Sequence, residues 1–263
     1  MKIGFIGAGN IAESIISGLI KSKSIKSTDI CVSNYNSEKS DRLVKNYLVQ
    51  SMSNDDIIDY VDIIVLALKP YMICDFLSNN LNKFKEEKVV VSVASGITLK
   101  EMFNHSNNFI KLVRAMPNTS CSINSGIFAT SFEDNATSDL KKTIRNLFSP
   151  LGTYIEVQES KMNGISVLAG CAPAFIYEII NGLSDGGVRM GLSRSESLEL
   201  AASVVSGAGQ MVMSSNIHPS LLKEQVTSPA GTTIEGIYSL EKAGLRGIIM
   251  EALQASFNKT NNK

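Results

Sequence analysis

The sequence predicts an α/β domain built on a parallel sheet, followed by an all-α domain. Three observations carry that expectation. Continuous Val/Ile/Leu runs recur through the first half, spaced by longer amphipathic segments, the pattern of a sheet covered on both faces. A glycine-rich turn directly follows the first run. After Val157 no β-branched runs remain, and apolar residues take helical spacing.

Taken in order, Lys2-Ile3-Gly4-Phe5-Ile6 reads as a buried strand and residues 11–20 as the helix after it. Residues 29–33 form a second strand and 61–68 a third, with a helix near 71–81. Two more strands are expected over 88–94 and 110–116. Residues 126–130 and 153–157 extend the sheet, and a helix over 138–148 lies between them. The Ser/Asn-rich stretch 21–54 keeps the helix–strand rhythm and reads as surface, not linker. Beyond the boundary near Gln158, Leu198, Ala201, Ala202, Val205, Ala208 and Val212 recur at three and four, an apolar stripe on one helix. Ile248, Ile249, Ala252 and Leu253 repeat the pattern on the last helix. Helices this apolar in about a hundred residues are expected to bury faces against a second subunit; packing on their own α/β domain is the alternative.

Composition narrows the function. The 263 residues suit two ordinary domains at roughly 150 residues each. Apolar residues are 44% and charged residues 19%, a composition that excludes disorder. Lys plus Arg equals Asp plus Glu at 25 each, so no basic field favours nucleic acid or a membrane surface. Cys31, Cys74, Cys121 and Cys171 are widely scattered, and His105 and His218 are the only histidines. Neither a disulfide framework nor a metal site is therefore expected, and reduced thiols suit a cytoplasmic protein. The apolar, uncharged stretch over residues 162–177 has 16 residues, short of the roughly 20 that a membrane span needs. The N-terminus lacks a secretory pattern.

Gly7-Ala8-Gly9-Asn10-Ile11-Ala12 fits G-x-G-x-x-G/A between the first strand and the first helix. The first glycine allows the tight turn, the second lets backbone approach a pyrophosphate, and the helix N-terminus offers free N–H donors. This context points to a Rossmann-type dinucleotide-binding domain. An NAD site places Asp or Glu at the end of the second strand, but Ser33-Asn34-Tyr35-Asn36 stands there, with no acid before Glu38. Ser33, Asn34 and Lys39 can donate to a 2′-phosphate, so NADP(H) is favoured and NAD(H) is admitted; a solvated loop is the plainer reading of the same residues.

Ligands of open α/β sheets sit beyond the carboxyl ends of the strands. Those ends carry Ala67-Leu68-Lys69-Pro70, Ala94-Ser95-Gly96 and Met116-Pro117-Asn118-Thr119. Lys69 and Asn118 suit a ligand there, although a surface lysine and a turn-forming asparagine look the same in sequence. In the helical half, Val226-Thr227-Ser228-Pro229-Ala230-Gly231-Thr232-Thr233 precedes a helical run. Free N–H groups and the hydroxyls of Ser228, Thr232 and Thr233 would hold a small carboxylate without Lys or Arg. The same residues also suit an ordinary capped helix.

The chain resembles the pyrroline-5-carboxylate reductases over essentially its whole length. The likeness rests on GFIGAGNIA (4–12), ALKP (67–70), VSVASGIT (91–98), RAMPNT (114–119), AGCAPAFIY (169–177), DGGVRMGLSR (185–194) and VTSPAGTTIEGIYSLE (226–241). It implies a dinucleotide-binding domain over 1–158 and a helical substrate-binding and dimerisation domain over 159–263. It further implies a homodimer that often assembles into decamers, and reduction of L-1-pyrroline-5-carboxylate, a cyclic imine, to L-proline. By resemblance, Ser228, Gly231, Thr232 and Thr233 hold the substrate, the Thr233 hydroxyl faces the ring nitrogen, and Glu159 lies near the substrate. Ile6, Gly7, Ala8, Gly9, Asn10, Ile11, Asn34, Asn54, Ala67, Leu68, Lys69, Pro70, Val93, Ala94 and Ser95 match cofactor positions. Gln225 matches an Asn that reaches the cofactor from the other domain. Cys171-Ala172 stands where Ser-Gly is usual, and Ser120 where Pro is usual. Neither departure removes a reacting group. A reductase of another cyclic imine or keto acid, or a non-catalytic NADP-binding sensor, remains the rival.

Overall fold

A computed structural model describes residues 1–84, 88–106 and 110–261. Two of the residues expected in the helical domain, Asn262 and Lys263, lie outside that set. The chain divides into two compact units, Met1–Gly170 and Cys171–Lys259.

The first unit is a single layered α/β structure. Its strands are β1 (Ile3–Ile6), β2 (Ile30–Ser33), β3 (Gln50–Ser51), β4 (Ile63–Leu66), β5 (Val89–Ser92), β6 (Lys111–Pro117), β7 (Gly126–Phe132) and β8 (Gly152–Glu156). They form one sheet in the order β3-β2-β1-β4-β5-β6-β7-β8. All neighbours are parallel except β6 and β7, whose antiparallel pairing sets Val113 opposite Phe132 and Pro117 opposite Phe128. The first six strands follow the 3-2-1-4-5-6 order of the doubly wound dinucleotide fold.

Alternation along each strand explains why the runs read as continuously apolar. Ile3, Phe5, Ile63, Val65, Val89, Val91 and Val113 face one buried cluster, which includes Ile15, Ile16 and Leu19 of α1 (Asn10–Lys21) and Ile144 and Phe148 of a later helix. Ile6, Ile64, Leu66, Val90 and Leu112 face the other, with Ile57 and Ile58, Ile73 and Leu77, and Met102. A period of two sends neighbours to opposite faces, and both faces are covered. Phe128 stacks on Phe148 with ring centroids 4.3 Å apart and is 1% exposed. Phe128→Ala should cost about 3–5 kcal/mol, readable as a lower denaturation midpoint in urea with the assembly state held constant.

Between the strands lie α2 (Ser37–Tyr47), α3 (Asn54–Tyr60), α4 (Pro70–Asn79), α5 (Leu99–Asn104) and α6 (Ser138–Phe148), then α7 (Met162–Gly170). The polar stretch 21–54, read as surface that keeps a helix–strand rhythm, contains β2 and α2, and also the edge strand β3, whose two residues are too few to leave a periodic signal. Of the four cysteines, all free, Cys121 is fully buried, and its desolvation pushes the thiol up to about 11.

The second unit contains α8 (Ala172–Arg189), α9 (Arg194–Ser215), α10 (Pro219–Gln225) and α11 (Thr232–Lys242), and α12 begins at its C-terminal side (Leu245–Asn261). The helix starts are well signalled: Ser193 and Glu196 form a capping box at α9. Only Ser184, Gly187, Ser197 and Ala201 are buried in this unit, all small. Of the predicted stripe, Ala201 alone is buried, while Leu198 and Val212 are exposed within the single chain. Joined end to end, Glu159–Arg189 spans 31 residues, and its most apolar 18-residue window has a mean hydropathy of 1.4, long and apolar enough to cross a membrane by length and composition. The structure divides this run at Cys171 into α7 and α8, and 17% of its most apolar window is buried.

Candidate active site

Parallel register lines up the carboxyl ends of the central strands. Ser33, Ile6, Leu66, Ser92 and Arg114 are successive partners across β2, β1, β4, β5 and β6. The residues just beyond them are Asn34, Gly7, Ala67 and Val93, so four expected cofactor positions form one row on the ligand edge.

Gly7 makes the turn out of β1. Its φ is +107°, its N–H donates to the Ser33 carbonyl at 2.8 Å, and Ala8 N–H donates to Asn34 Oδ1 at 3.0 Å. Asn34 Nδ2 donates to the Asn36 carbonyl at 2.9 Å, so both ends of this amide hold the glycine turn against the end of β2. Ser33 and the exposed Lys39 are then the groups near the expected 2′-position whose side chains are not committed to that turn.

Helix α1 begins at Gly9 with no side-chain cap, and a Cβ built on Gly9 meets nothing within 4 Å. Asn10, the first residue of α1, is exposed beside this glycine turn, while Ala12 is buried. Helix α4 likewise begins without a side-chain cap, at Lys69, with Pro70 in its first turn. An exposed lysine at the positive end of a helix suits a bound anion better than an empty surface. By contrast α2, α3, α5 and α6 are capped by Asn36, Ser53, Thr98 and Thr137. These two uncapped ends, the glycine cradle and the missing acid on β2 fit the pyrophosphate of a dinucleotide.

The remaining first-unit candidates are distributed around this edge. Asn54 opens α3, just after the edge strand β3. Val93 and Ala94 are nearly buried beyond β5, and Ser95 Oγ lies 3.0 Å from Ser166 Oγ of α7. Asn118, 7% exposed, is occupied on both sides of its amide: Nδ2 donates to the Ala169 carbonyl at 3.2 Å, and Oδ1 accepts from Ile127 N–H at 3.0 Å. Its geometry ties α7 and β7 to the end of β6. Glu159 Oε1 accepts from Leu99 N–H at 2.6 Å and pairs with Arg114 Nη1 at 3.1 Å.

In the second unit, Ser228 to Gly231 make a tight turn into α11. Gly231 N–H donates to the Ser228 carbonyl at 3.1 Å, and a Cβ on Gly231 would meet Ser228 Oγ at 2.3 Å. Ala230 is held at φ +55°, an unusual value for a residue with a side chain. Gly231 is the N-cap of α11, yet no side chain caps that helix. The hydroxyls of Ser228, Thr232 and Thr233 make no hydrogen bond with any described residue, and all three residues are exposed. The capped-helix alternative therefore does not describe this end: three hydroxyls and free N–H groups are left for an anion. Gln225 closes α10 three residues earlier.

The family model described as pyrroline-5-carboxylate reductase dimerisation matches residues 159–263, and that of NADP oxidoreductase, coenzyme F420-dependent, matches residues 2–96. A curated relative, the pyrroline-5-carboxylate reductase of Methanosarcina acetivorans, is 38% identical over 96% of this chain and 94% of its own length. The chain belongs to the pyrroline-5-carboxylate reductase family.

Another pyrroline-5-carboxylate reductase, from Glycine max, is 36% identical over 98% of this chain and 94% of its own. Among solved structures, the pyrroline carboxylate reductase of Plasmodium falciparum with NADP bound has a TM-score of 0.89 at 30% identity, covering 99% of this chain and 97% of that one. This member of the reductase family therefore has the Rossmann-like domain and the helical dimerisation domain that its sequence predicts. Residues the sequence reading passed over are Arg114, Asn163 and Ser166. A visible signal was Arg114, a charge in the middle of the apolar run LVRAM, because a cation buried there requires an acceptor.

Proposed function

We propose that this chain reduces L-1-pyrroline-5-carboxylate to L-proline, with NADPH as the favoured hydride donor and NADH as a second. The observation that carries the substrate assignment is the uncapped start of α11 with its three unpartnered hydroxyls, a carboxylate site without a cation. We assign Ser228, Gly231, Thr232 and Thr233 to the substrate, and Glu159 as a further substrate residue. Ile6 to Ile11, Asn34, Asn54, Ala67 to Pro70, Val93 to Ser95, Asn118 and Gln225 are assigned to the dinucleotide. Asn34 and Asn118 serve by shaping backbone, since their amides are engaged. The dinucleotide-binding domain is taken as 1–158 and the helical domain as 159–263. The chain pairs through the helical domain and assembles further into decamers in the cytoplasm.

Bound NADPH supplies the hydride. A cyclic imine protonates near neutral pH, so the substrate arrives in part as its iminium, with the carbon already electrophilic. The chain's work is orientation and electrostatics. The α11 N–H groups and hydroxyls fix the carboxylate. The Thr233 hydroxyl accepts the N–H of the iminium, and as the C=N electron pair settles on nitrogen it supports the resulting amine. Thr233→Ala should lower kcat/KM about 10- to 100-fold, with thermal stability unchanged because the hydroxyl has no internal partner. Unchanged kinetics would remove Thr233 from the mechanism.

The deciding assay follows oxidation of NADPH and NADH by the purified protein with pyrroline-5-carboxylate, and identifies proline as product. Turnover is expected with both cofactors and faster with NADPH. A folded protein that binds NADPH but forms no proline would overturn the substrate assignment.

A further inference from the structure

Arg114 is the most deeply buried charged side chain named in the site region, at 4% exposure, and its contacts close a ring. Nη1 donates to Glu159 Oε1 at 3.1 Å, and Nη2 donates to Asn163 Oδ1 at 3.1 Å. The same Glu159 oxygen accepts Leu99 N–H, the first residue of α5. One turn beyond Asn163, Ser166 is 8% exposed and its hydroxyl meets Ser95 at 3.0 Å. At the far end of α7, Asn118 of the β6 terminus holds the Ala169 carbonyl.

Two of these contacts reach the connection between β5 and α5, residues 93–98: Ser166 meets Ser95 within it, and Glu159 holds Leu99 just past it. The turn at Gly96 has φ +75°, and Thr98 closes a capping box with Glu101. Two partners on one segment, 159–170, thus hold a loop that carries Val93, Ala94 and Ser95. That segment is itself locked to β6 by Arg114 and Asn118. A buried arginine with two oriented acceptors fixes direction as well as distance, which a lysine at the same place does not.

We propose that Arg114 is a positioning residue for dinucleotide binding: through Asn163 and Glu159 it sets the 159–170 segment so that Ser166 holds the 93–98 loop in its binding shape. The inference rests on the assignment of Val93 to Ser95 to the cofactor. It predicts an effect on cofactor terms that a simple loss of stability would not produce.

The test uses the intact wild-type assembly and three variants, Ser166→Ala, Ser166→Thr and Arg114→Lys. NADPH dissociation constants are measured by titration without substrate, alongside KM for each substrate, melting temperature and sedimentation. Ser166→Ala and Arg114→Lys should each weaken NADPH binding by about 5- to 10-fold, the scale of one lost hydrogen bond. In Ser166→Ala the KM for pyrroline-5-carboxylate, assembly and melting temperature should stay as in the wild type, and Ser166→Thr should restore the affinity. Wild-type NADPH affinity in the folded variants would overturn the proposal. So would Ser166→Ala weakening both substrates equally with a lowered melting temperature. If Arg114→Lys fails to fold, the Ser166 pair decides alone. A wild-type protein that binds NADPH but reduces no pyrroline-5-carboxylate would overturn the substrate assignment while leaving this inference to be judged on the titrations. One that binds neither dinucleotide would overturn both.

Discussion

Gly7→Ala should lower NADPH affinity by about 100-fold or more. Gly7 sits at φ +107°, where any side chain is strained, at a cost of about 1–3 kcal/mol. Its new Cβ would lie 2.4 Å from the Ala67 carbonyl oxygen and 2.8 Å from the carbonyl carbon, both backbone. Neither strand can retreat cheaply, because β1 and β4 are adjacent and Ala67 N–H donates to Ile6 O at 2.9 Å. The turn itself must open, carrying with it the Ala8–Asn34 hydrogen bond and the start of α1. Gly9→Ala is the informative control. Its Cβ meets no protein atom within 4 Å, so the melting temperature should be unchanged while NADPH binding still weakens. Equal stability loss in both variants, or full NADPH affinity in either, would refute the assignment of this turn to the pyrophosphate.

Val204→Asp should abolish assembly at micromolar concentration and take activity with it. Val204 lies on the 22-residue helix α9 and is 62% exposed in the single chain, with Leu200 at 53% and Met213 at 75%. Isolated helices of this kind are marginal in water, and the second unit buries only four small residues of its own. Under the proposed pairing through the helical domain, this apolar surface is what a second copy covers, in keeping with the match to a dimerisation family. An aspartate placed in such an interface leaves an unpaired charge, a cost of several kcal/mol and a more than 100-fold weaker association. Sedimentation equilibrium and a concentration-dependent melting temperature in the wild type would check this. A Val204→Asp protein that sediments as the wild type would place the interface elsewhere.

Several elements were legible because their signal is local. The strand runs reproduce β1, β2, β4, β5 and β6 to within a few residues, since a strand covered on both faces must be apolar at every position. The helix over 138–148 coincides with α6, where an apolar face is flanked by Thr137 as cap. β3 and α5 escaped for opposite reasons. The first has two residues, and the second has six, held by a capping box more than by any periodic stripe.

At the site the division is similar. Sequence alone marked Gly7, Gly9 and the 226–233 run, because tight turns and helix starts demand particular residues. It also placed a parallel-sheet dinucleotide domain before a helical one and excluded a metal or disulfide chemistry as the expectation. It could not choose between a capped helix and a ligand site at α11, because a serine or threonine near a helix start is compatible with both. Nor could it show that Asn34 and Asn118 spend their amides on backbone, or that Arg114, Glu159 and Ser166 join to hold one loop. Those facts depend on which residues distant along the chain meet in space. Arg114 and Glu159 are 45 positions apart, and Ser95 and Ser166 are 71 apart. A hydrogen bond at such separation leaves no period or composition in the chain, and only the folded geometry supplies its partner.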